Sequence, residues 1–325
     1  MRRKPVGKGS AFFFSAVQSQ HPPLAHSRQA GNEWRMTTLH PHRSVLYVPA
    51  TNEKALGKLA ELPVDAAILD LEDAVSPDQK AAARDNLVRL FKNPPDKRLI
   101  IRVNAMDTEW GAKDLEVAKN CRPNAILLPK VDSPRDILEC DDALDEVDAP
   151  KRIKLWAMIE TPKAILNLGA IAALGRDRAA RLTGLVAGTN DLAKDTGIRI
   201  TPDRRYLMPF LQQMVMAAKA GGLLALDGVS NDFRDLEAFE AECQEARSMG
   251  FDGKTLIHPA QIEPATKAFA PSSEEIAEAQ AIVDAFEAAP EKGVIQINGR
   301  MVERLHLAQA EKLLAASRNW EKDPK

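Results

Sequence analysis

The sequence predicts an α/β protein, a (β/α)₈ TIM barrel with a C-terminal helical and hairpin appendage. From Ser44 onward short apolar runs alternate with amphipathic helical stretches, which is the period of repeated βα units. The polar residues suited to chemistry gather at the carboxyl ends of those runs, where such a barrel builds its site. Size agrees, since 325 residues with 45% apolar side chains can bury one large core.

In chain order the expected strands are "SVLYVPA" from Ser44, "AAILDLE" from Ala66, "RLIIRVN" from Arg98 and "AILLPKV" from Ala125. They continue with "KLWAMIE" from Lys154, "TGLVAG" from Thr183, "LLALDGV" from Leu223 and "KTLIHP" from Lys254. An open doubly wound sheet reads the same way over its first half, and the count of eight favours the closed barrel. Between strands, "PDQKAAARDNLVRLF" reads as a helix opened by Pro77 at the tolerated first position, with Leu87, Leu90 and Phe91 as its apolar stripe.

Three segments follow: a basic N-terminal extension over 1–36, the barrel over 37–270 and the appendage over 271–325. The first 36 residues carry six Arg and Lys against one acid, Glu33, so the rest of the chain sits near −7. That composition matches an organelle transit peptide; the plain alternative is a start at Met36 with upstream residues outside the fold. The location expected is the cytoplasm, or the mitochondrial matrix if the extension is a transit peptide. The charge gives no sign of a nucleic-acid partner, and no run of eighteen apolar residues indicates a membrane span. Cys121, Cys140 and Cys243 are scattered, odd in number and without a CxxC pair, so they read as packing residues rather than a disulfide or zinc framework.

At the strand ends stand Asp70, Glu72 and Asp73, then Arg102 and Asn104, Lys130, Glu160, Asp191 in "GTND", Asp227 and His258. Carboxylates crowded into one mouth raise each other's pKa unless a cation offsets them. Oxygen donors alone suit Mg²⁺, or Mn²⁺. Caps and ion pairs account for part of the set; Asp73 can cap the loop before Pro77. Glu160 resists that reading, because it ends the continuous apolar run "LWAMI" and its charge needs a specific partner. Lys130 and Asp227 stay open between site and scaffold. His258, followed by Pro259, reads as a hydrogen-bonded strand-end residue rather than a base.

Together "RSVLYVPATNEKAL", "AAILDLEDAVSPDQKAAAR", "LIIRVNAMDTEWGAKDL", "AILLPKV", "MIETPKAI", "GTNDLAKD" and "KTLIHPAQI" resemble the CoA ester lyases of the HpcH/HpaI aldolase/citrate lyase family, the citrate lyase β-subunit and malyl-CoA lyase branch. The likeness covers about Arg43 to Ala316. The class II aldolases of the wider family resemble "DxEH" after the second strand; here the stretch is "DLEDA", without the histidine. The resemblance implies Mg²⁺ held by Glu160 and Asp191, with Arg102 gripping substrate oxygens. An ion pair from Arg102 to Glu72 or Asp73 is the structural competitor. Glu72 and Asp73 are implied to hold metal-bound water and to orient Arg102, Asp70 being structural. Gly188 admits close backbone approach, and the amides of Thr189 and Asn190 in the "GTND" turn are placed to take a substrate carboxylate.

The implied reaction is cleavage, or Claisen formation, of a 3-hydroxyacyl-CoA such as malyl-CoA or citryl-CoA, giving an acetyl-CoA-type thioester and a 2-oxo acid. A metal-dependent aldolase of free 2-oxo acids, a malyl-CoA thioesterase and a non-catalytic subunit of a lyase complex are the alternatives. In the resembled family the acid/base is an Asp in "GxMVD", delivered by the appendage of a neighbouring subunit, which implies a homo-oligomer, trimer or hexamer. This chain reads "GRMVE" and places Glu303 there. One more methylene moves the charge by about 1.5 Å, which matters at hydrogen-bond distance. Glu303 as an acid favoured at a helix N-terminus is the plain competitor. Ahead of it, Ser272 and Glu275 form a capping-box pattern and Asn298-Gly299 a hairpin turn.

Overall fold

The computed structural model describes residues 42–321; the basic extension and the choice between Met1 and Met36 lie outside the described residues. Eight parallel strands close on themselves: β1 (Ser44–Pro49), β2 (Ala66–Asp70), β3 (Arg98–Arg102), β4 (Ala125–Leu128), β5 (Lys154–Ile159), β6 (Leu182–Ala187), β7 (Leu224–Asp227) and β8 (Gly253–Leu256). Each pairs with the next, and β8 returns to β1 through Leu256 opposite Leu46. All eight expected strands are present.

Around them lie α1 (Glu53–Lys58), α2 (Lys80–Leu90), α3 (Gly111–Cys121), α4 (Pro134–Glu146), α5 (Pro162–Ala173), α6 (Thr189–Thr196), α7 (Met208–Gly221), α8 (Leu236–Met249) and α9 (Ile262–Phe269). The strands are apolar on both faces because each face has a core of its own. Inward go Val45, Ile68, Ile100, Leu127, Trp156 and Met158; outward, under the helices, go Leu46, Leu69, Ile101, Ile126, Leu155 and Leu185. Each such buried aliphatic contributes about 1.5–3 kcal/mol over its exposed state.

Where a strand ends, a proline and a cap start the next helix. Thr161 Oγ1 accepts the Ala164 N–H at 3.0 Å with Pro162 at the first position of α5, and Ser133 with Asp136 forms a capping box at α4. Pro77 differs from expectation. It opens a 3₁₀ turn over Pro77–Gln79, and α2 starts at Lys80, with Leu87 buried and Leu90 and Phe91 half-buried. Cys140 and Cys243 are buried and Cys121 half-buried, all as free thiols. Burial pushes Cys121 up to about 11 and the other two up to about 12, so they pack and do not react at neutral pH. Among the described residues no helix is long and apolar enough to cross a membrane.

Beyond α9 come α10 (Ser273–Glu287), the hairpin β9 (Val294–Ile297) and β10 (Arg300–Glu303), and α11 (Arg304–Glu321). Ser272 and Glu275 cap α10 reciprocally. Asn298 and Gly299 turn the hairpin with φ of 48° and 79°, the left-handed pair that a two-residue loop requires. The two helices pack through Ala279, Ala310 and Leu314, while Val294, Met301 and Leu305 stay exposed.

Candidate active site

Strand parity builds the mouth. The inward series on β2, β3 and β5 runs Ile68, Ile100 and Met158, and the next inward positions are Asp70, Arg102 and Glu160. Asp70 and Arg102 are also register partners on neighbouring strands. Arg102 Nε and Nη2 therefore donate to Asp70 Oδ1 and Oδ2 at 2.7 and 2.6 Å, both groups buried. The same carboxylate accepts the N–H groups of Glu72 and Ala74 at 2.9 and 3.2 Å. Asp70 thus carries most of the orientation expected of Glu72 and Asp73. Glu72 Oε2 lies 2.8 Å from Arg102 Nη1 but off the line of a hydrogen bond, and exposed Asp73 stands 3.8 Å away. The Tyr47 ring, 5.0 Å from the guanidinium carbon, completes its seat.

Lys80 pins the loop that carries Glu72. Its Nζ donates to the Leu71 and Glu72 carbonyls and to Asn104 Oδ1, each at 2.8 Å. Asn104 also bonds the buried Asp114, so it is scaffold and not a mouth residue. Burial pushes the Glu72 carboxyl up to about 7 against the pull of Arg102, and the charges of Asp73, Glu160 and Asp70 add to the rise.

Glu160 is 1% exposed at the end of β5. Its Oε1 accepts the Lys130 N–H at 2.7 Å, and its Oε2 is buried with no hydrogen-bond partner. Burial raises its pKa, the charge and N–H of Lys130 oppose that rise, and Asp191 reinforces it. Gly188 must be glycine, because a Cβ there falls 2.3 Å from Glu160 Cβ and 2.7 Å from Oε2. The "GTND" stretch expected as a turn is the first turn of α6, with Gly188 as its cap. Thr189 is buried there, and Asn190 exchanges two amide bonds with Asn231, at 3.2 and 2.8 Å, which turns its carboxamide to the loop after β7. Asp191 meets Lys130 Nζ at 2.7 Å, and Glu160 Oε1 is 3.6 Å from the same ammonium.

The residues left open separate cleanly. Lys130 belongs to the mouth. Asp227 is scaffold, buried between Lys254 Nζ at 2.6 Å and Arg204 Nη1 at 2.8 Å. His258 stacks on Phe233 and its Nδ1 accepts the Ala260 N–H at 3.1 Å, the strand-end role expected of it. Glu303 ends β10 in the appendage. Its N–H donates to His306 Nδ1 at 2.9 Å inside the appendage, and no hydrogen bond or ion pair links it to Arg102, Glu160 or Asp191.

Fold and site together define a barrel protein with a fixed arginine and two carboxylates at the catalytic rim. Residues 43–259 match the family HpcH/HpaI aldolase/citrate lyase, and the chain belongs to that family. It is 48% identical over 281 residues to a (3S)-malyl-CoA thioesterase of Cereibacter sphaeroides, covering 85% of this chain and 94% of that protein. To citrate lyase subunit beta of Escherichia coli it is 32% identical, covering 83% of this chain and 93% of that one. The CitE protein of Mycobacterium tuberculosis, solved with magnesium, acetoacetate and coenzyme A, superposes with a TM-score of 0.70 at 31% identity, covering 86% of this chain and 98% of the other.

Proposed function

We propose that this chain is a Mg²⁺-dependent enzyme acting on CoA thioesters of 3-hydroxy dicarboxylic acids of the malyl type, and that it hydrolyses the thioester to the free acid and CoA. The observation that carries the metal is Glu160 Oε2, a buried carboxylate oxygen without a partner beside Asp191. Such an orphan needs a cation. Among the described residues no three His, Cys, Asp or Glu side chains are grouped to hold an ion. Two carboxylates with water in the other positions are the donor set that Mg²⁺ accepts, and Mn²⁺ would fit the same oxygens.

Bound there, Mg²⁺ supplies Lewis-acid polarisation of a substrate oxygen. The protein does the rest. Asp70 occupies the Nε and Nη2 edge of Arg102, and Nη1, which reaches Met158 Sδ at 3.7 Å and lies 2.8 Å from Glu72 Oε2, is the donor we assign to a developing oxyanion. The first-turn amides of α6, Thr189 to Asp191, have no partner within the helix and suit the substrate's carboxylate.

The acid/base we assign to Glu303, delivered from a neighbouring subunit of a homo-oligomer, trimer or hexamer. The exposed Val294, Met301 and Leu305 around it support a surface that another subunit covers. In hydrolysis the water oxygen adds to the thioester carbonyl, its proton passes to Glu303, the C–S bond breaks, and the proton returns to the sulfur. Hydrolysis is favoured over carbon–carbon cleavage by the higher identity to the thioesterase than to the lyase subunit and by Glu303 replacing the Asp of the lyase pattern. The intact Arg102 and carboxylate pair favour cleavage to acetyl-CoA and a 2-oxo acid as the second reading. Product analysis with (3S)-malyl-CoA and Mg²⁺ separates them. Malate and free CoA thiol in equal amounts are expected; glyoxylate and acetyl-CoA without thiol release establish the lyase instead, and neither pair rejects the substrate class.

A further inference from the structure

Lys130 holds an unusual position. It follows β4 and Pro129 with a φ of 52°, a left-handed conformation that a long side chain adopts only when its surroundings impose it. The surroundings are visible. Its N–H is committed to Glu160 Oε1, and the loop is tied to β5 by Thr161 Oγ1, 2.5 Å from Asp132 Oδ1. With the backbone so fixed, the side chain runs back across the mouth. Its ammonium reaches Asp191 Oδ1 at 2.7 Å and stands 3.6 Å from Glu160 Oε1.

One residue therefore does two things to the acidic pair. Through its backbone it turns Oε1 of Glu160 away and leaves Oε2 free. Through its side chain it supplies, among the described residues, the one positive charge that touches both carboxylates. Without it two acids would face each other across a partly dry mouth, an arrangement that charge repulsion opposes. Yet a dication bound between these carboxylates would compete with the ammonium for the negative charge of Asp191, whose Oδ1 the ammonium holds. The side chain is 36% exposed on a flexible four-carbon stem, so it has room to leave.

We propose that Lys130 is the resident counterion of the metal-free site: it neutralises Glu160 and Asp191 until Mg²⁺ displaces its ammonium from Asp191, and by that competition it sets the metal affinity. The inference rests on the metal site proposed above. It is a positioning role, distinct from the contacts of Arg102 and Glu303 with substrate.

The test is calorimetric titration of Mg²⁺ into the full-length, EDTA-stripped protein without substrate, comparing wild type with Lys130→Met. Loss of the competing charge should tighten Mg²⁺ binding about tenfold, the low end of Coulomb's law for a half-exposed pair. It should also lower the melting temperature in EDTA, and saturating Mg²⁺ should close that gap. Equal or weaker affinity in the variant overturns the proposal. Wild type gives an independent reading by trace acetylation of amines followed by mass spectrometry. Lys130 should label faster with Mg²⁺ than in EDTA, and unchanged or slower labelling contradicts displacement. No Mg²⁺ binding by wild type removes the metal site and this inference with it, whereas equal affinity removes the inference alone.

Discussion

Glu160→Gln and Asp191→Asn change charge with little change of shape, so each should abolish detectable Mg²⁺ binding while the melting temperature in EDTA stays within a few degrees of wild type. Both stand at the functional rim of the barrel and not in its packed core. Arg102→Lys keeps the charge and loses the fork. With no planar edge for Asp70 to grip, kcat/KM should fall by about 10²-fold or more, the usual effect of losing one oxyanion donor. Asp70→Ala strands a buried guanidinium and should cost about 3–5 kcal/mol of stability, measured by urea unfolding. Metal affinity should depend on pH. Burial raises both Glu72 and Glu160, so in the metal-free protein these carboxyls hold protons further up the scale than free ones. Raising the pH removes those protons, so Mg²⁺ affinity should rise as the pH passes through about 7, the value for Glu72, and level off above it. Affinity that is flat or falls with pH contradicts the assignment.

At the scale of elements, the junction of β5, β6 and α6 positions the proposed metal pair. Gly188→Ala should push Glu160 aside, because the new methyl meets Glu160 Cβ and Oε2, and Mg²⁺ binding should weaken at least tenfold with the barrel still folded. A wild-type titration of that variant would mean that the close approach is incidental. The strands were legible because parallel strands buried on both faces leave continuous apolar runs, and each polar residue closing a run marks a strand end. Ser272, Glu275, Asn298 and Gly299 were legible because caps and two-residue turns have local chemistry. What pairs across strands was not. Asp70 passed as structural and Glu72 as the partner of Arg102, since register between β2 and β3 is set by the whole barrel and not by either segment. Lys130 stayed open for the same reason: its φ and its reach to Asp191 depend on the loop's tie to Thr161. The acid that closes β2, opposite an arginine at its register position on the neighbouring β3, is the signal that points to Asp70 once the pairing is known.

In the whole molecule the proposed metal pair belongs to the barrel and the proposed acid/base to the appendage, so a single chain should be incomplete. Truncation after Pro290 should leave a barrel that still binds Mg²⁺ and has no turnover, because Glu160 and Asp191 precede that point. Inactive Glu160→Gln and Glu303→Ala proteins, mixed and allowed to exchange subunits, should regain part of the activity, since some mixed interfaces hold both groups intact. Glu303→Asp tests the fit of the longer side chain: a retained or raised rate means Glu is a tolerated substitute, a lower one that the pocket is shaped around it. The most direct test of the whole account is thiol release from (3S)-malyl-CoA by the full-length protein and its Glu160→Gln variant, each with Mg²⁺ and with EDTA. The account predicts release by wild type with Mg²⁺ and background rates in the other three; equal release by the variant with Mg²⁺, or by wild type in EDTA, would contradict it.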